Sequence, residues 1–325
     1  MDAKDVTKIL NIDTIKDHIL DTSNVAWNHH ITPSSLERWL NNFTGAALNN
    51  KLAEQTIAAW LLMNFTFYTL VEIQELCKVV YKKYIHKKLS EPHYLKSEEN
   101  TEEKVRQILS RTLFLPLGNP SESGTFILYT FRTANSLPKS LFNYPQDLTQ
   151  TINSGLFDDI VLIDDVTLSG SQAIDYISRL PLGTVHATLM TFFATPTAIE
   201  NLKKKALNIT PLYAIMLDSR TNLFSDDSFV FSNDDCKPLK ELAFQLCTYY
   251  GREIVNNYLP SSEAYMKEFP LGFANGQQMF GFFYNTPNNT LPIFWCDSPY
   301  WYPAFKRYEK KYGTKGVSIQ NEQYW

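Results

Sequence analysis

No run of about 18 apolar residues occurs in the chain, which excludes a helix built to cross a bilayer. Residues 1–13 are polar and mixed in charge, unlike a secretory signal. The expectation is a cytoplasmic protein without membrane contact. A strong charge of one sign is also lacking. A net charge of −4 provides no protein-wide field for a polyanion and leaves room only for local basic stripes. Cysteine is scarce. Cys77, Cys236, Cys247 and Cys296 lie far apart and form no C-x-x-C pair, so a structural zinc site is unsupported. Isolated buried thiols in a reducing cytosol are the expectation. His29-His30 has no third ligand nearby and reads as surface. Neither an internal repeat nor a low-complexity segment is visible.

What remains is ordinary globular material: 325 residues, 44% hydrophobic and 20% charged. The length suits one large domain or two modest ones, with chain enough for a real core. Aromatics are abundant at 14%, so most must be buried or must line a binding surface.

Residues 1–112 read as a helical N-terminal region. Ser34-Ser35-Leu36-Glu37 has the pattern of a capping box after Pro33. It opens Leu36, Trp39, Leu40 and Phe43, apolar at helical spacing. Residues 52–80 read as two helices with a break near Thr66-Phe67-Tyr68-Thr69, and residues 90–101 as a surface loop. From about Leu113 strand-like runs alternate with helices. Strands are expected at 125–131, 159–164, 184–193 and 212–217, and helices at 171–180, 196–207 and 239–257. This alternation predicts an α/β fold, a parallel doubly wound sheet over residues 113–258. Residues 259–325, rich in Gly, Asn, Pro and aromatics, read as an extension packed on that core, with a strand at 280–284.

One segment carries chemistry. The apolar run Ile160-Val161-Leu162-Ile163 delivers Asp164 and Asp165 to the carboxyl edge of the sheet. Val166, Thr167, Leu168, Ser169, Gly170, Ser171 and Gln172 follow as a short loop and a helix start. Backbone N–H groups of such a loop, with the helix dipole behind them, make an anion site. Gly170 permits backbone angles that let those amides converge, and Ser169 and Ser171 add hydroxyl donors. The acids are placed to accept hydrogen bonds from sugar hydroxyls, so the set fits a ribose 5-phosphate. The plainer alternative is an Asp pair that ends a strand and serines that cap a helix.

The segment resembles the phosphoribosyl diphosphate (PRPP) motif of type I phosphoribosyltransferases. Asp164, Asp165, Val166, Ser169 and Gly170 match it, while Leu168 and Gln172 stand where that family usually has threonine. The resemblance implies a phosphoribosyltransferase fold, Mg²⁺ held through the ligand and by Asp164 and Asp165, and a catalytic role for those two acids. It also implies a diphosphate loop at the end of the preceding strand. With a strand expected at 125–131, that loop is Arg132-Thr133-Ala134-Asn135, and Arg132 is the diphosphate ligand through its planar fork.

The rest of the chain is similar to phosphoribosyltransferase-like proteins of prokaryotic conflict systems, including antiphage effectors encoded beside retron reverse transcriptases. The similarity rests on Trp39-Leu40-Asn41-Asn42-Phe43, Asn119-Pro120-Ser121-Glu122-Ser123-Gly124, Phe131-Arg132-Thr133-Ala134-Asn135, Ile163-Asp164-Asp165, Pro270-Leu271-Gly272 and Asn285-Thr286-Pro287-Asn288-Asn289-Thr290-Leu291-Pro292-Ile293-Phe294-Trp295. Trp301-Tyr302-Pro303-Ala304-Phe305-Lys306-Arg307 closes it, and together these cover most of residues 36–307. Such a protein is expected to transfer or cleave a phosphoribosyl group, or to sense the ligand without chemistry. Asn288, Asn289, Thr290 and Trp295 either form a hood that selects the acceptor or build a rigid turn around a core tryptophan. Ser121, Ser123 and Gly124 form either a small anion nest or a plain loop. Basic residues alternate with aromatics at 78–88 and 306–312. These stripes are either solvated faces or contacts to a reverse transcriptase and its DNA–RNA product.

Overall fold

In the computed structural model, residues 1–118, 123–142, 148–180, 182, 185–205, 209–259 and 266–308 are described. Asn119, Pro120, Ser121 and Glu122, and residues 309–312 of the second basic stripe, lie outside them.

Six strands are present among these residues: β1 (Thr66–Tyr68), β2 (Thr112–Pro116), β3 (Asp159–Thr167), β4 (His186–Ala194), β5 (Ile209–Met216) and β6 (Phe280–Phe282). The main sheet has the order β2-β3-β4-β5. Every pair is parallel, with Ile163 facing Pro116 on one side and Met190 on the other. All four carboxyl ends therefore share one edge, where α/β sheets bind ligands.

β3 shows why its run is unbroken. Val161 and Ile163 enter an apolar cluster on one face, with helices Leu70–Leu89 and Ser123–Ala134. Ile160 and Leu162 enter a cluster on the other, with helices Ser171–Ile177 and Pro196–Lys204. A strand covered on both faces has no polar side to show. The parallel doubly wound α/β architecture is thus the one observed.

A third apolar cluster lies beyond the sheet. It joins the helices Ile12–Ala26, Pro33–Leu40 and Lys51–Met63 to Lys240–Glu253 and Pro292–Trp295, through Ile19, Trp39, Ile57, Leu246 and Phe294. The cores do not follow chain order: Leu70–Leu89 belongs to the sheet, and Lys240–Glu253 packs with the N-terminal helices. In this third cluster Glu54 is fully buried, yet satisfied. It accepts from the N–H groups of Gly45, Ala47 and Leu48, each at 2.7 Å, and from the Tyr250 hydroxyl. The clusters are bridged by β1 and β6, which pair in parallel, Thr66 with Phe280 and Tyr68 with Phe282.

Several expectations need correction. Residues 125–131 are not a strand but the body of helix Ser123–Ala134. β propensity favoured a strand, but burial of Gly124, Ile127, Thr130 and Phe131 follows helical spacing, and packing decides. The first core strand is β2, upstream of that helix. The capping box of Pro33–Leu40 is formed by Thr32 and Ser35, with Pro33 as the first helical residue. Residues 90–101 include a short helix, Pro92–Lys96. The expected break in 52–80 is present and contains β1. The cysteines are free thiols, and burial pushes Cys77 up to about 12. No helix among the described residues is long and apolar enough to cross a membrane.

Candidate functional site

β3 ends in the acid pair at the carboxyl edge. Asp164 is 8% exposed and Asp165 is half-buried. Each carboxylate is folded onto its own backbone: Asp165 N–H donates to Asp164 Oδ1 at 3.0 Å, and Val166 N–H to Asp165 Oδ1 at 2.8 Å. The second oxygen of Asp165 accepts from the Tyr284 hydroxyl at 3.2 Å.

The loop after β3 is tied from one side, through its carbonyls. Thr167 O accepts from Thr195 N–H at 3.1 Å, Leu168 O from Thr195 Oγ1 at 2.5 Å, and Ser169 O from Asn201 Nδ2 at 3.0 Å. In a trans peptide the following N–H points opposite to the carbonyl. The amides of Ser169 and Gly170 are therefore turned away from Pro196–Lys204, as an anion cradle requires. Gly170 has φ +74°, and a Cβ there would sit 3.2 Å from Ala198 O. Glycine is needed for both conformation and space. Ser171 and Gln172 are exposed at the start of the following helix. Val166 and Leu168 pack against the apolar cluster on the Tyr284 side.

A second backbone approach meets the acids. Leu117 N–H continues the ladder to Ile163 O at 2.9 Å, and a Cβ on Gly124 would lie 2.6 Å from Leu117 O. The helix beginning at Ser123 thus starts beside the end of β3. The sequence signal was Gly124 itself, and its role is close approach of backbones. Along this edge, beyond β4 and β5, opens a cavity of about 300 Å³ lined by Tyr68, Phe193, Phe229, Phe280, Gln278 and Arg220 among others.

Other expected site residues lie elsewhere. Arg132 is in the last turn of its helix, with its guanidinium over the Tyr129 ring. Eight residues of helix put it about 12 Å along the axis from Gly124. Thr133 bonds back to Tyr129 O and Thr130 O. The strand end that assigned both residues to a diphosphate is absent, so that assignment loses its basis. In the terminal signature, Asn289 Nδ2 donates to Phe273 O, Thr290 Oγ1 to Phe280 O, and Trp295 Nε1 to Thr290 O. All three residues are buried, and Asn288 is half-buried beside them. The arrangement is the rigid turn around a core tryptophan. The site residue that sequence reading missed is Tyr284, just before that signature. In the first basic stripe Tyr84 is buried, Tyr81 packs on Phe131, and Lys83 binds the carbonyls of Tyr213 and Ala214. The rings of that stripe serve the core.

A parallel sheet with an acid pair and a carbonyl-tied loop at its carboxyl edge is the arrangement expected of a phosphoribosyltransferase-like protein. The chain belongs to the PRTase-CE family, whose sequence model matches residues 36–307. No curated protein and no solved structure gives a significant match.

Proposed function

We propose that the chain binds PRPP, or a nucleotide, with Mg²⁺ at residues 164–172, and transfers or cleaves its phosphoribosyl group. The observation that carries this reading is the loop tied by its carbonyls, with amides turned outward beside two carboxylates. The amides of Ser169 and Gly170 take the 5-phosphate, and Asp164 and Asp165 accept hydrogen bonds from the ribose hydroxyls. With PRPP the C1–oxygen bond to diphosphate breaks with its electron pair leaving on the diphosphate; with a nucleotide the C1′–nitrogen bond breaks with its pair leaving on the base, which takes up a proton. An acceptor nucleophile or water bonds to the oxocarbenium-like carbon and releases its proton to solvent.

No cluster of three or more His, Cys, Asp or Glu able to hold a metal occurs among the described residues. Two carboxylates alone suit Mg²⁺ that arrives on substrate phosphates, which is how this ion is commonly held. Bound there, it would offset charge on the departing diphosphate. The aromatic cleft of Tyr68, Phe193 and Phe280 suits a planar acceptor. In a cell, depletion or modification of nucleotides by such chemistry fits an antiphage effector of the retron type.

The test is to incubate the protein with PRPP and Mg²⁺ and follow diphosphate release. Turnover lost in Asp165→Ala supports the reading; absence of both binding and turnover with PRPP and nucleotides overturns it. A second reading is a sensing module without chemistry. It is favoured by Leu168, whose side chain packs against an apolar cluster where type I phosphoribosyltransferases usually have threonine. Calorimetric binding abolished by Asp165→Ala, with no product formed, would select it.

A further inference from the structure

We infer that Tyr284 is a positioning residue for Asp165, so that the C-terminal segment sets how firmly the loop grips ribose hydroxyls. This rests on the phosphoribosyl reading above and deepens it. An ionised carboxylate has about four acceptor positions. Asp165 spends one on Val166 N–H and one on the Tyr284 hydroxyl, on opposite oxygens. Held on one oxygen by the next residue's amide and on the other by a phenol 119 residues away, the group keeps one rotamer, with its remaining lone pairs preset.

Tyr284 is itself well held. Its ring stacks on Phe282 at 5.2 Å with planes 3° apart, and meets Phe126 at 5.1 Å. Phe282 and Asn285 exchange backbone hydrogen bonds of 2.9 and 3.1 Å, which closes the turn that carries it. Asn285 Oδ1 accepts from Thr286 N–H and Tyr308 N–H. Burial, then the charges of Asp165 and Asp164, push the phenol well above its ordinary range, so it remains a donor at working pH. The phenol's hydrogen bond goes to the acid, at Asp165 Oδ2. Its loss should therefore weaken recognition of ribose while leaving recognition of phosphate alone.

The experiment is calorimetric titration of the full chain, wild type and Tyr284→Phe, with PRPP plus Mg²⁺, ribose 5-phosphate and inorganic phosphate. Tyr284→Phe is expected to weaken PRPP and ribose 5-phosphate about tenfold, the worth of one hydrogen bond to a charged group. Inorganic phosphate should change less than about twofold, and in an Asp165→Asn background the same substitution should add less than about twofold. Phe282→Leu keeps the phenol but removes the ring beneath it, and gives a smaller loss on the same two ligands. Equal PRPP affinity in wild type and both variants overturns the inference. So does an equal loss for inorganic phosphate, which would mark a merely structural role. If the wild type itself ignores PRPP and ribose 5-phosphate, the functional reading falls and this inference with it.

Discussion

Tyr250 donates its hydroxyl to Glu54 at 2.6 Å, which ties helix Lys240–Glu253 to helix Lys51–Met63 inside the apolar core. Burial, then this bond, push the phenol up. Glu54 has three further donors, all backbone amides of the turn before its own helix. Tyr250→Phe should lower unfolding free energy by about 1–3 kcal/mol, read from urea denaturation. Glu54→Ala, which removes the acceptor of three part-buried amides as well, should cost more. A Tyr250→Phe protein as stable as wild type would contradict this account.

At the amino edge of the sheet, Asp159 is buried among Lys88 at 3.2 Å, His186 at 3.0 Å, Thr188 and Tyr84. Burial pushes its carboxyl up, but the His186 hydrogen bond and the Lys88 charge outweigh that and hold it below its ordinary value. The unfolded chain therefore binds this proton more readily. The stability it contributes is full above about pH 5 and is lost as pH falls through the lowered folded value. Asp159→Asn should destabilise more at pH 7 than at pH 3 in urea unfolding. Equal losses at both would exclude the ion pair as the cause.

Gly170→Ala tests the cradle. A side chain at φ +74° with Ala198 O at 3.2 Å is strained twice over. A stability loss of about 1–2 kcal/mol is expected in thermal melts, with weaker binding of inorganic phosphate because the amides no longer converge.

The helical placement of 125–131 is checked by two substitutions on opposite faces. Phe131 is fully buried, its ring 5.4 Å from that of Phe114, and Phe131→Ala should cost about 3–5 kcal/mol. Tyr129 is 63% exposed, and Tyr129→Ala should cost under about 1 kcal/mol by the same measurement. A strand would place positions 129 and 131 on one face, where the two losses would be similar.

The chain's own pattern made the loop legible. An apolar run, two acids and small residues are contiguous, and local order fixes their placement. Thr125-Phe126-Ile127-Leu128-Tyr129-Thr130-Phe131 misled because β-branched and aromatic side chains are equally at home on a buried helix face. Its error moved Arg132 from a strand end to a helix end. The terminal asparagines misled differently: composition gives hydrogen-bonding capacity but not direction, and here the capacity serves the turn. Tyr284 had no local signal at all. Its partner lies 119 residues away, and the two meet because β6, paired with β1, packs Phe280 and Phe282 on Phe193 of β4 while Tyr284 packs on Phe126.

That pairing also imposes an order in time. β1 waits for a partner made more than two hundred residues later, long after the acid pair has left the ribosome. Such a distant contact closes slowly and late. The loop is synthesised more than a hundred residues ahead of the phenol that steadies Asp165. A product cut short before residue 284 would carry the loop without the phenol, leaving one oxygen of Asp165 without the restraint it has in the folded chain.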